Sequence, residues 1–119
     1  MEMKKKKYIE SMQKRYTKLT TRLSKLGLVL QGTITQRTIV RPDPKAPKKQ
    51  KNYGPYYQWT FKRAGKTVTV NLTATQAKTY QQAINNHRKM EDIVEQMRTI
   101  SLQILEAKTQ GVKRRKSQQ

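Results

Sequence analysis

Two runs of alternating residues, Tyr56 to Arg63 and Lys66 to Leu72, stand on either side of Ala64-Gly65 and admit one productive pairing. Glycine supplies the positive backbone angle that a two-residue hairpin turn needs. With that turn, Phe61 faces Val68, Trp59 faces Val70 and Tyr57 faces Leu72, and these six side chains form the predicted core side of a sheet. The opposite side shows Lys62 against Thr67, Thr60 against Thr69 and Gln58 against Asn71. A slip of one residue would set Trp59 and Phe61 against polar partners, so burial itself specifies the register.

The segments around this hairpin have helical periodicity. From Lys4 to Leu26 the apolar residues Ile9, Met12, Tyr16, Leu19, Leu23 and Leu26 recur at alternating spacings of three and four, which predicts a helix over 4–26 with Gly27 as its stop. Thr73, with Gln76 three residues on, suits a capping box opening a long helix over 74–108. Its predicted seam is Tyr80, Ala83, His87, Met90, Val94, Met97, Ser101 and Ile104, widened by Ile84, Ile93, Ile100 and Leu105. The two helices are expected to pair antiparallel. "GTITQRTIVR" reads as a strand at about 33–41. "PDPKAPKKQKN" (Pro42 to Asn52), with its three prolines and four lysines, reads as an exposed basic loop. The expected architecture is α+β: a small antiparallel sheet of two or three strands (33–41, 56–63, 66–72) carried on an antiparallel pair of long helices. One domain over 1–110 is expected, followed by a disordered basic tail, 111–119.

Charge narrows the function classes. The 119 residues hold 27 Lys or Arg and seven Asp or Glu, a formal net charge of +20. Such a field attracts polyanions, nucleic acid first. The cations are not confined to a tail: residues 1–32, 33–72 and 73–119 carry nine each. Cysteine is absent, which excludes disulfides, thiolate metal sites and cysteine catalysis. The start, "MEMKKKKYIE", has no apolar stretch after its basic run, so neither a signal peptide nor a membrane anchor is expected. A cytoplasmic protein is expected.

Enzymatic chemistry finds little support. Glu91, Asp92 and Glu95 cluster on one helix, where local pairing with Arg88, Lys89 and Arg98 explains them better than a metal site. His87, the single histidine, falls on the helix seam, and no general base has an evident partner. "RAGK" lacks the spacing of a phosphate-binding loop. No catalytic residue, metal or cofactor is expected. What remains is a binding surface. Gln58, Thr60, Lys62, Thr67, Thr69 and Asn71 have the side chains that read base edges, on a ribbon of a width that fits the major groove of B-form DNA. Arg37, Arg41, Lys45, Lys48, Lys49, Lys51, Arg63 and Lys66, with Lys113, Arg114, Arg115 and Lys116 of the tail, are the expected phosphate contacts.

At "GPYYQWTFKRAGKTVTVNLT", preceded by "QGTITQR" and followed by "NNHRKMEDIVEQM", the chain resembles a family of small uncharacterised bacterial proteins encoded beside transposases and other mobile elements. The resemblance covers about Leu28 to Leu105, and its most specific part is Gly54-Pro55-Tyr56-Tyr57 with Gly65-Lys66 after it. Members usually carry a cysteine cluster between the first strand and the Gly-Pro-Tyr run, suggestive of a metal knuckle. Here that place is "RPDPKAPKKQKN", without cysteine, which removes the zinc expectation. The hairpin is also similar, at the level of fold, to the three-stranded domains with which some phage and transposon integrases bind DNA arm sites. The expectation is therefore a non-enzymatic, nucleoid-associated accessory protein that binds double-stranded DNA for a transposase, a recombinase or an RNA-guided nuclease complex. Two alternatives stand beside it: an RNA-binding or ribonucleoprotein component, and a protein-interaction module that docks a recombinase or nuclease. A homodimer through the long helices is a further expected association.

Overall fold

A computed structural model of the chain describes residues 2–109. The element order is α1 (Glu2–Ser24), β1 (Thr33–Asp43), β2 (Ala46–Arg63), β3 (Lys66–Leu72) and α2 (Ala74–Lys108). The fold is α+β: one three-stranded antiparallel sheet in the order β1-β2-β3, with two helices. The chain packs as two compact units. One takes residues up to Leu26 and from Met90 onward, the other Gly27–Lys89, and α2 contributes to both.

In the first unit α1 and the later part of α2 pair antiparallel through their apolar stripes. Met12, Leu19, Ile93 and Ile100 are buried, with Tyr16, Leu23, Leu26, Met97 and Ile104 packed around them. All six residues of the predicted α1 stripe are buried or half-buried. On α2 the deepest row differs from the predicted seam. Ile93 and Ile100, with Ile84 in the other unit, are at most 4% exposed. Met90, Val94, Met97, Ser101 and Ile104 flank that row half-buried, and Leu105 lies 57% exposed. The isoleucines, expected to widen the seam, are its centre. Helix α1 ends earlier than the spacing predicts: after Ser24 the chain tightens into a closing turn, in which Lys25 and Leu26 donate to the carbonyls of Arg22 and Leu23 at 3.2 Å.

In the second unit the β2–β3 register is the one the alternation predicts: Tyr57↔Leu72, Trp59↔Val70 and Phe61↔Val68 on one face, Gln58↔Asn71, Thr60↔Thr69 and Lys62↔Thr67 on the other. The turn holds both central residues at positive φ, Ala64 at 51° and Gly65 at 79°, which matches the right-handed twist of the strands. Trp59 stacks on Phe61 with ring centroids 3.9 Å apart and meets Tyr80 of α2 edge-on at 5.4 Å. Its indole N–H donates to the Gln31 carbonyl at 2.9 Å. The predicted core face is thus half-buried under the first turns of α2 rather than fully enclosed. That part of α2 opens with the expected capping box: Gln76 N–H donates to Thr73 Oγ1 at 3.2 Å, and Thr73 N–H to Gln76 Oε1 at 2.9 Å. Residues leading into the sheet lie along the same helix, with Leu30 N–H on the Ala83 carbonyl at 3.1 Å and the Asn86 amide on the Leu28 carbonyl at 2.9 Å.

The segment expected to be a loop is strand. From Pro42 to Asn52 the chain continues β1 and β2 into a two-stranded ribbon, closed by a turn at Pro44-Lys45, and β2 begins at Ala46 rather than at Tyr56. The prolines are tolerated because each falls where the ladder is interrupted. Pro44 is in the turn, Pro42 adjoins a register shift, and Pro47 lies in the unpaired stretch between Ala46 and Gln50. Asp43 sets the turn by accepting the Lys45 N–H at 2.9 Å on Oδ1. A second irregularity, two residues of β2 (Gly54, Pro55) against Thr38 of β1, is a β-bulge. Gly54 holds φ at +119°, and a Cβ there would lie 2.9 Å from the Arg37 carbonyl. Among the described residues, no helix is long and apolar enough to cross a membrane.

Two stability predictions follow from the second unit. Trp59→Ala should cost about 3 kcal/mol in urea unfolding, whereas Trp59→Phe, which keeps the ring but loses the hydrogen bond to Gln31, should cost about 1 kcal/mol. Equal losses would mean that the hydrogen bond outweighs the packing. Ala64→Asn, which suits positive φ better than alanine, should raise the unfolding free energy by about 0.5 to 1 kcal/mol. A loss of stability there would contradict the turn geometry.

Candidate nucleic-acid interface

Residues two apart on a strand share a face, so the paired register lays out the solvent side of the sheet row by row. Thr33, Thr60 and Thr69 form one row, and Thr35, Gln58 and Asn71 the next. Arg37 stands opposite Tyr56, then Ile39 opposite Tyr53, then Arg41 opposite Lys51. The bulge absorbs its extra residue on β2, so alternation continues along β1 and the last three rows stay on the face of the first two. All six expected base-reading residues, Gln58, Thr60, Lys62, Thr67, Thr69 and Asn71, lie on this one face, away from Trp59. Gln58 Nε2 donates to Asn71 Oδ1 at 3.1 Å. That bond fixes the orientation of both amides and leaves Gln58 Oε1 to accept and Asn71 Nδ2 to donate outward.

The expected phosphate contacts divide. Arg37, Arg41 and Lys51 share the polar face. Lys45 is in the ribbon turn, and Lys48 and Lys49 fall in the irregular stretch just beyond it. Arg63 and Lys66 pair with each other at the opposite end of the sheet, in line with Phe61 on the other face, where the Arg63 guanidinium lies 5.5 Å from the Phe61 ring centroid. They do not join the Arg41 group. Lys113, Arg114, Arg115 and Lys116, and the tail as a whole, lie outside the described residues.

Sequence reasoning missed the aromatic part of this face. Tyr56 is 47% exposed beside Arg37, and the Lys51 ammonium lies 5.4 Å from the Tyr53 ring centroid, within cation–π range. A partial signal was present: Ile39 and Arg41 before the Pro44-Lys45 turn, and Lys51 and Tyr53 after it, keep a period of two. Electrostatics makes the ribbon unusual. Directly opposed like charges destabilise a strand pair, and Arg41 faces Lys51 in register. From Arg37 to Tyr56 the ribbon holds six cations and one carboxylate, Asp43, which is engaged in its own turn. A surface with this charge and these rings suits a ligand that brings phosphates to the cations and flat faces to the tyrosines.

Elsewhere the acids behave as helix surface. Arg98 pairs with Glu95 at 3.1 Å. Among the described residues, no group of three His, Cys, Asp or Glu side chains could hold a metal ion. His87 is half-buried on α2.

If the opposed cations are strained in the free protein, Arg41→Glu should relieve them. Creating a cross-strand pair with Lys51 should raise stability by about 0.5 kcal/mol at low salt, an effect that should shrink as salt is added. Thermal melts at two ionic strengths measure it, and a destabilised variant would count against the register. No protein-family model matches this chain, and neither a curated protein nor a solved structure matches it.

Proposed function

We propose that this chain is a non-enzymatic nucleic-acid-binding protein that engages double-stranded DNA with the polar face of its sheet and its basic β1–β2 ribbon. The observation that carries the reading is the ribbon: two strands, six cations and a like-charged cross-strand pair, with its one carboxylate committed to the turn. The major groove of B-form DNA, about 12 Å wide, admits a two-stranded ribbon, whereas the deep, narrow major groove of A-form RNA does not. Lys45, Lys48, Lys49 and Lys51 would contact phosphates and fix position. Gln58, Thr60, Thr69 and Asn71 would supply base-edge contacts. Service to a transposase or another mobile-element enzyme, and with it a bacterial, nucleoid-associated setting, rests on the Gly54-Pro55-Tyr56-Tyr57 resemblance alone.

A second reading has one observation in its favour. Tyr53 and Tyr56 beside cations could stack unpaired bases, which suits single-stranded RNA or DNA. Binding to matched duplex DNA, RNA hairpin and single strand across a salt series separates the two. The duplex reading expects affinity to fall steeply with salt, and Lys48→Ala, Lys49→Ala and Lys51→Ala together to lower the log–log slope by about 2 to 3 on every sequence. Changing Gln58, Thr60, Thr69 and Asn71 to Ala should leave that slope unaltered and reduce discrimination among duplexes by about 1 to 3 kcal/mol per lost bidentate contact. Preference for single strands, abolished by Tyr56→Ala, would favour the stacking reading instead. A flat salt response on all three would end both.

A further inference from the structure

Helix α1 carries a second charged surface, in the unit that does not contain the sheet. At about 100° per residue, Lys4, Lys7, Lys14, Lys18 and Arg22 fall within an arc of about 80°, on the side away from the apolar stripe. All five are exposed. They extend over about 27 Å of helix, and Lys25 continues the series in the closing turn. Glu2 and Glu10, the acids of α1, lie outside the arc.

A face that is merely solvated has a different appearance, and the same unit supplies the comparison. On α2 the same unit mixes both signs, Glu91, Asp92, Glu95 and Glu106 with Arg98 and Lys108, and Glu95 and Arg98 pair at 3.1 Å. On α1 the series Lys14, Lys18, Arg22 repeats like charges at four-residue spacing, an arrangement that weakens a helix by a few tenths of a kcal/mol per pair. A polyanion lying along the stripe would relieve that repulsion.

We infer that the exposed face of α1 is a second nucleic-acid contact, one that holds the phosphate backbone of a duplex without reading its sequence. Three features select the ligand. The stripe is straight, and a duplex presents one phosphate charge per about 1.7 Å along its axis, so every cation over that length meets charge without the ordering a flexible single strand would require. Its five cations are four ammonium groups and one guanidinium with no amide side chain among them, a set whose charge phosphate oxygens meet at any sequence. A membrane-surface helix needs an apolar face to insert, but Met12 and Leu19 of α1 are committed to the helix pair at 8% and 5% exposure.

The inference does not depend on the sheet reading, and the test keeps the two apart. Full-length chain is titrated with a random-sequence DNA duplex across a salt series as parent, as Lys14→Gln with Lys18→Gln, and as Lys5→Gln with Lys6→Gln, a charge-matched pair on other faces of the same helix. Circular dichroism verifies helix content in each. The stripe pair should lower the salt slope by nearly 2 and the control pair by less than half of that. Equal slopes for the two pairs would overturn the inference, because the charges would then act only through the net field. Phosphatidylserine vesicles form a parallel arm: loss of vesicle binding on changing the stripe, with the DNA slope intact, would also overturn it. The ribbon variant Arg41→Glu is run in the same series. A stripe effect that persists when the ribbon variant binds as well as the parent would sink the sheet reading and leave this one standing.

Discussion

The indole of Trp59 joins three parts of the second unit. Its ring lies against Phe61 on its own strand and against the edge of Tyr80 on α2, and its N–H is spent on the Gln31 carbonyl just before β1. Sheet, helix and incoming chain therefore meet at one side chain. Around it the apolar supply is thin: in this unit only Ala77 and Ile84 are buried, and the rest of the face is half-buried. A small sheet with one covered face relies on a few large side chains, and an aromatic with a polar handle can satisfy packing and a backbone acceptor together. The Leu28 carbonyl, which accepts from Asn86, and the Leu30 N–H, which donates to the Ala83 carbonyl, extend the same seam toward Gly27.

Charge is distributed very unevenly over this frame. Among the described residues, six of the seven carboxylates belong to the helices and one to the sheet unit's ribbon turn. The sheet unit, Gly27–Lys89, holds twelve Lys or Arg against Asp43 alone. Self-repulsion of that kind raises the free energy of the unbound fold, and counterions or a polyanion lower it again. Ribbon and helix stripe share this logic although their geometries differ: one offers cations mixed with rings and amides, the other cations alone.

How far the sequence foretold this depends on which physical signal each segment carried. The Ala64-Gly65 hairpin was legible to the residue, because a period of two on both sides of a turn dipeptide leaves burial to choose the register. The stripe of α1 was legible for the same kind of reason at a different period. In α2 too many apolar residues compete for one face, so periodicity located the face but not its centre, and the β-branched isoleucines took the deepest row. The ribbon was not legible from Pro42 to Asn52. Three prolines normally argue against strand, and only the pairing shows that each sits where a ladder donor is not needed. The error carried into the site: with the strand expected to begin at Tyr56, Tyr53 falls in a loop, and the row that sets it beside Tyr56 and Arg37 is not visible.

That ribbon has one further consequence. Beyond Tyr57, β2 has no β3 beside it, and among the described residues the ribbon's two outer borders carry backbone donors and acceptors that no neighbouring strand takes up. Such borders are templates for recruitment of further strands, and proteins that keep them open defend them with proline, lysine and bulges. All three defences are present: Pro42, Pro47 and Pro55, Lys48, Lys49 and Lys51, and the kink at Gly54. The residues that would attract a polyanion are thus also the ones that keep the ribbons of neighbouring molecules from stacking into a common sheet, so a chain that lost its lysines would become prone to self-association.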